Sequence, residues 1–194
     1  FDMRKQLLDY DDVLRRQREI IYEERNKILE SEDIHDMVKI IFEKALDQTF
    51  AADVSDSKKI SDATDLCKSL EMMGLQENRK IHPNEVEGKT VEDAKAYCLE
   101  RIWNEYEEEI KLVRDQFLPF EKRVVLRNID RNWIEHIDMM DKLGGGIYLR
   151  SYAQNNPLQQ YVEEGFQMFD EMNQRINREI AFFLLKVRIR KEQA

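Results

Sequence analysis

The sequence predicts an all-α fold: a long helix, a small acidic helical subdomain inserted after it, and an antiparallel two-helix hairpin. Three observations carry that prediction. Apolar residues recur at steps of three and four along most of the chain, which is the period of one helix face. Charged residues make up 37% of the 194 positions, and only six glycines and three prolines interrupt them. That balance favours long solvated helices over sheets. Finally, two apolar-striped segments, about 120–143 and 157–187, flank one short connection, and a short connection favours antiparallel packing.

From Phe1 to about Glu30 the chain reads as one uninterrupted helix. Met3, Leu7, Tyr10, Leu14, Gln17, Ile21, Glu24 and Ile28 follow heptad steps, and Leu8, Val13, Ile20 and Leu29 widen the apolar face. Such a helix is about 45 Å long at 1.5 Å per residue, long enough to act as a strut against several elements. A coiled-coil seam is the other reading of the same heptads. Ser31-Glu32-Asp33 is placed to cap a second helix, Ile34 to about Phe50. Asp53 to Lys59 reads as loop. Ser61 to Met73 reads as a short helix ended by Gly74. Gln76 to Lys89, with His82-Pro83-Asn84 and Gly88, reads mostly as loop. Thr90 caps a long helix to about Phe117, with Val91, Ala94, Cys98, Ile102, Tyr106 and Ile110 inward.

Pro119 then resets the chain into the hairpin. Its first arm turns Leu126, Ile129, Trp133, His136, Met140 and Leu143 to one side. Its second turns Val162, Gly165, Phe169, Met172, Ile176, Ile180, Phe183 and Val187. Gly144-Gly145-Gly146 is expected to end the first arm, and Asn156-Pro157 to start the second as N-cap and first helical residue. The connection is not merely polar. Ile147, Tyr148, Leu149, Arg150 and Tyr152 give it more apolar and aromatic surface than a tip meeting only water needs.

Charge and motif content exclude several functions. Twenty-one acidic residues and twelve Lys or Arg fall between Ser31 and Leu118, so the whole net charge of −9 sits in the middle of the chain. Nucleic-acid binding is not expected of it. No apolar run is long enough to span a membrane. No phosphate-cradling G-x-x-x-x-G-K-[ST] loop, G-x-S-x-G elbow or paired C-x-x-C cluster exists. His35, His82 and His136 lie far apart, Cys67 and Cys98 form no C-x-x-C pair, and no metal site, catalytic residue or cofactor is expected in the chain. Asp11-Asp12 reads as solvated or ion-paired surface, and Glu107-Glu108-Glu109 as a solvated helix face. Phe1 falls inside a helical pattern, so the chain is expected to be part of a longer polypeptide.

The stretch Phe1-Asp2-Met3-Arg4-Lys5-Gln6-Leu7-Leu8-Asp9-Tyr10-Asp11-Asp12-Val13 closely resembles the start of the helical scaffold in the SecA family. These are ATPase motors that push preproteins through the bacterial SecY channel. Trp133-Ile134-Glu135-His136-Ile137-Asp138-Met139-Met140-Asp141 and Gly146-Ile147-Tyr148-Leu149-Arg150-Ser151-Tyr152-Ala153-Gln154-Asn155-Asn156-Pro157 resemble the same family in the same order. The resemblance implies scaffold at 1–30, a helical wing at 31–118, a two-helix finger at 119–166 and a return of the scaffold at 167–194. It implies that Tyr152 contacts the translocating polypeptide, with Tyr148, Ile147, Leu149 and Arg150 beside it. It also implies that Arg4 and Asp11 meet the motor, and that Trp133 packs the finger against scaffold and motor. ATP and Mg would belong to that motor, outside this chain. The implied partners are the SecY channel, a preprotein, the parent's own motor and preprotein-binding domains, and a second copy in a homodimer. The implied location is cytoplasmic, peripheral at the inner face of the cell membrane. One departure stands out: the family usually carries Leu-Arg-Gln-Gly-Ile where this chain has Leu143-Gly144-Gly145-Gly146-Ile147. The rival reading from the residues alone is a stand-alone helical adaptor, or coiled-coil module, that associates through the heptads of the first helix.

Overall fold

The structure, a computed structural model, describes residues 2–54, 58–150 and 156–190. Among them the chain forms seven α-helices and no strand. These are α1 (Asp2–Glu30), α2 (His35–Asp53), α3 (Thr64–Met73), the single-turn α4 (Pro83–Val86), α5 (Val91–Ile110), α6 (Arg114–Arg150) and α7 (Pro157–Leu185). The chain divides into two units, Phe1–Glu32 with Val125–Ile176, and Asp33–Val124 with Asn177–Ala194. Both α6 and α7 contribute to each. No helix among the described residues is long and apolar enough to cross a membrane.

In the first unit α1 packs with parts of α6 and α7. The heptad row of α1 is inward where Gln17, Ile21 and Ile28 are buried, but Leu7 and Leu8 at its start are exposed, as are Ile20 and Leu29. The broad apolar face read from the sequence is therefore only partly covered. Arg25 holds α1 to α6 through Asp130, with Nε donating to Oδ1 at 2.9 Å. From α6, Ile129, Trp133, His136 and Met140 are buried, and from α7, Tyr161, Phe169, Met172 and Ile176. Val162, expected inward, is exposed, and its neighbour Tyr161 takes the place. The helical period allows either position, and the larger ring removes more apolar area from water.

Gly165 marks a close approach in this unit. A Cβ there would lie 2.8 Å from Met140 Cε and 3.3 Å from its Sδ. The helices approach closely enough for Gln17 Nε2 to donate to the Gly165 carbonyl at 3.2 Å.

The second unit has an apolar core from α2, α3 and α5, including Val38, Phe42, Leu46, Leu66, Leu70, Ile102 and Tyr106. Thr90 caps α5 as expected, accepting from the Asp93 amide at 3.1 Å. Gly74 ends α3 with φ +126°, a conformation that side chains with a Cβ rarely adopt. Arg79 is buried and caps the end of α7: Nη1 donates to the Leu185 carbonyl at 2.8 Å, and Nη2 pairs with Glu109 at 3.4 Å.

Phe183, expected inward on α7, is exposed as well, and three further expectations change. Ile34, not Ser31 or Glu32, is the N-cap of α2, and it makes no side-chain bond there. Asp33 instead accepts from the His35 amide at 3.1 Å. The long helix after Thr90 ends at Ile110, where a 3-10 turn at Lys111–Val113 leads into α6, and Pro119 lies inside α6. A proline within a helix costs about 3 kcal/mol. Its neighbours supply the anchorage: Phe117 packs edge-on against Tyr106, and Glu121 is fully buried in hydrogen bonds. The Glu107–Glu109 run is not simply solvated, because Glu107 binds His35 and Arg114, and Glu109 pairs with Arg79 and accepts from the Ile189 amide.

Gly165→Val should destabilise the chain by about 1–3 kcal/mol, because two further methyl groups enter space already held by Met140 and Gln17. Urea unfolding followed by circular dichroism would show it as an earlier midpoint. An unchanged midpoint would mean that Met140 moves aside freely.

Candidate functional site

The seam of the hairpin is built from the middle outward. Trp133 and His136 lie one turn apart on α6, with ring centroids 5.5 Å apart, and His136 meets Phe169 of α7 at 5.7 Å. His136 Nε2 donates to Gln17 Oε1 at 2.6 Å, while the amide nitrogen of Gln17 serves the Gly165 carbonyl. That arrangement puts the ring proton on Nε2, since Gln17 Oε1 only accepts. Burial, and then the nearby Arg175 guanidinium, push the His136 imidazole down to about 4, so it is neutral near pH 7. Arg175 is itself held by Asn132, Nε donating to Oδ1 at 2.8 Å.

Further along, Met140, Ile147 and Tyr161 form a buried cluster, with Tyr10, Val13, Leu14, Leu143 and Met168 packed on it. The Tyr10 and Tyr161 rings lie 4.9 Å apart. Burial, and then Asp11 and Asp141, raise the Tyr161 hydroxyl above its usual range.

The glycine run does not end the first arm, as the sequence suggests; α6 continues through Gly144, Gly145 and Gly146 to Arg150. Each glycine costs roughly 1 kcal/mol of helix stability against alanine. Burying Ile147 completely, with Leu143 partly covered before it, returns about 1.5–3 kcal/mol for the isoleucine alone. The two effects are of the same size, and the packing of Ile147 carries the helix past the glycines. Ile147 is consequently core and not part of an exposed tip surface. Its neighbours point outward, with Tyr148 68% and Leu149 73% exposed. Tyr152 lies outside the described residues, as does the side chain of Arg150. The second arm starts as expected: Asn156 Oδ1 accepts from the Gln159 amide at 3.2 Å, and Pro157 opens α7.

The residues tied by resemblance to a motor lie at two places in this unit. Arg4 and Asp11 are exposed on the open first third of α1, in the same stretch as Leu7 and Leu8. Trp133 is buried in the seam. Asp12, beside Asp11, is engaged by Arg15 and Arg16, as a paired surface carboxylate would be. No group of three or more His, Cys, Asp or Glu among the described residues could hold a metal ion. Sequence reasoning missed Tyr161, whose signal was its place four residues before Gly165. It also missed the partners of His35, described below.

A long helix braced by an antiparallel helical hairpin, with an acidic helical segment between them in the sequence, defines a helical scaffold module. Comparison with family models matches residues 1–188 to the SecA Wing and Scaffold domain, and the chain belongs to that family. The chain is thus a component of a SecA-like translocase, an ATPase that moves proteins.

Two outcomes follow from this geometry. Because burial depresses His136, its contribution to stability is present above the ordinary value of 6.5 and is lost as pH falls from there toward about 4. A depression of that size amounts to about 3 kcal/mol at most. Urea unfolding between pH 7 and pH 4.5 should show a steeper loss in the native chain than in His136→Gln. Separately, a Cβ at Gly145 meets nothing within 4 Å. Gly145→Ala should therefore stabilise the chain by about 0.5–1 kcal/mol, read as a later thermal midpoint.

Proposed function

We propose that this chain couples the ATP-driven movement of a motor to a preprotein at the SecY channel. In this reading α1 receives the movement through Arg4, Asp11 and the exposed Leu7 and Leu8. The hairpin delivers it through Tyr152, with Tyr148, Leu149 and Arg150 beside it. Trp133 transmits it by packing within the seam. The observation that carries the reading is the pairing of Tyr148 and Leu149, both largely exposed, with Ile147, fully buried on the same turn. A helix end fastened on one side and apolar on the other suits contact with a passing unfolded chain. Aromatic rings add to that suitability, because they offer apolar area to almost any side chain at low entropic cost.

ATP and Mg belong to a motor outside these 194 residues, and the chain itself does no hydrolysis. The partners are the SecY channel, the preprotein, the parent's motor and preprotein-binding domains, and a second copy in a homodimer. The site of action is the cytoplasmic, inner face of the cell membrane, reached as a peripheral protein. The segment expected as wing, 31–118, is a variable appendage in this scheme, with finger at 119–166 between the two scaffold stretches.

Tyr152 provides the test. Tyr152→Ala in the full-length parent should lower preprotein import into SecY-containing vesicles while leaving basal ATPase unchanged. The same substitution should shift the stability of the 194-residue chain by no more than about 0.5 kcal/mol, as exposed changes do. Tyr152→Phe should be nearly silent, since the ring supplies the contact area. A large fall in melting temperature for Tyr152→Ala with unchanged import would assign the ring to capping the hairpin instead.

A further inference from the structure

The second unit holds a buried ionisable cluster that the coupling scheme does not use. His35, the first residue of α2, is 4% exposed, and Glu121 of α6 is wholly buried. His35 Nδ1 lies 2.9 Å and 3.1 Å from the two carboxylate oxygens of Glu121, while Nε2 bonds to Glu107 of α5. Glu121 also accepts from the Tyr106 hydroxyl. The imidazole is packed against Trp103, ring centroids 4.7 Å apart, and lies parallel to Tyr106 at 6.2 Å.

Both ring nitrogens therefore face carboxylate oxygens. A neutral imidazole has one N–H and can donate to only one of them; its other nitrogen would set a lone pair against an anion. Only the imidazolium satisfies both. We propose that His35 is a proton-operated latch: protonated, it fastens the start of α2 to α5 and α6 through Glu107 and Glu121 together, and on losing its proton it releases one of them.

The other charges around it are of both signs. Asp33 accepts from the His35 backbone amide, adding a third carboxylate near the ring's own element. On α2, Lys39 sits over the Trp103 ring, 5.7 Å from its centroid. Arg114 at the start of α6 neutralises part of Glu107, 3.3 Å away, and Arg79 acts on Tyr106 from further off. Burial alone would lower the basicity of His35, but the bonds to Glu121 and then Glu107 outweigh it and raise the imidazole above its ordinary 6.5. Glu107 is lowered in turn: burial opposes this, and the His35 bond overcomes it. For a raised histidine the added stability is full below 6.5 and is lost as pH climbs through the folded-state value. Release leaves a fully buried Glu121 beside a second carboxylate, with one cation fewer to hold them. This dependence runs opposite to that of His136, so the two are separable in one titration.

The test follows the His35 ring by heteronuclear NMR from pH 5 to pH 9 in the 194-residue chain, with a thermal melt at each pH. The ring should titrate with a midpoint above 6.5, and Glu107→Gln should move that midpoint down. The melting temperature of the native chain should fall as pH climbs above 6.5 through that midpoint, and His35→Gln should abolish that fall. A His35 midpoint at or below 6.5, or the same alkaline fall retained in His35→Gln, would overturn the latch. If His35→Gln does not fold, the ring titration of the native chain against Glu107→Gln decides alone.

Discussion

The first unit depends on one close approach. At Gly165 the α7 backbone comes near enough to α1 and α6 for a single side chain, Gln17, to bond to both a ring on one helix and a carbonyl on another. A helix carbonyl used this way already accepts within its own helix, so Gln17 takes up its second lone pair without breaking the ladder. The amide of Gln17 has one accepting and one donating end, and the unit uses both. Every other inward residue of the seam, from Ile176 and Trp133 to Met140 and Tyr161, lies in register with that point. A side chain at 165 would enter space held by the Met140 thioether, whose Cε lies 2.8 Å from where its Cβ would stand, and would crowd the Gln17 amide.

The two buried histidines show how surroundings decide protonation. His136 meets a neutral amide oxygen and feels Arg175, so nothing compensates a positive charge and burial wins. His35 is about as buried but meets two carboxylates, and their bonds win over burial. A carboxylate as deeply buried as Glu121 is tolerated only when paired and hydrogen-bonded. Here the pairing joins the start of α2 and the first third of α6 to the C-terminal end of α5. The desolvation cost of such a cluster is of the same order as its attraction, so losing one partner costs more than forming the cluster gains.

Much of the fold was legible in the sequence because the helical period is written in residues that pack. The inward row of α5, the inward row of α6 from Ile129 to Met140, the Thr90 cap, the Gly74 stop and the Asn156-Pro157 start all follow from local chemistry. What was not legible depended on tertiary contacts. Pro119 and the three glycines are local break signals, and each is overridden by residues anchored beside it: Phe117 and Glu121 for the proline, Ile147 for the glycines. Glu121 carried a signal that could have been used, since an acid four residues after Phe117 and four before Val125 stands within an apolar stripe. Its partner was harder to find, as His35 lies 86 residues away. The exposed end of α6 was legible only in part: Tyr148 and Leu149 stand outward, but Ile147, on the same turn, belongs to the core.

That split has a mechanical consequence for the hairpin. Three glycines disfavour the helix by roughly 3 kcal/mol in sum against alanine, and one isoleucine contributes about as much by burial. The last turns of α6 therefore have little surplus from backbone propensity, and Ile147 is their fully buried anchor. None of the glycines is demanded by packing: a Cβ at Gly144 would make ordinary contact with Tyr161 at 3.7 Å, and those at Gly145 and Gly146 would meet nothing. The chain thus keeps, at the base of its exposed aromatic end, a segment that sterics would allow to be stiffer. Force applied at Tyr148 or Leu149 reaches the seam through Ile147, which is set among Met140, Tyr161 and Tyr10. In the coupling proposed above, a contact that must accept side chains of many sizes in succession is served by such a joint, because the end can tilt about its anchor while the seam behind it, closed at Gly165, stays in register.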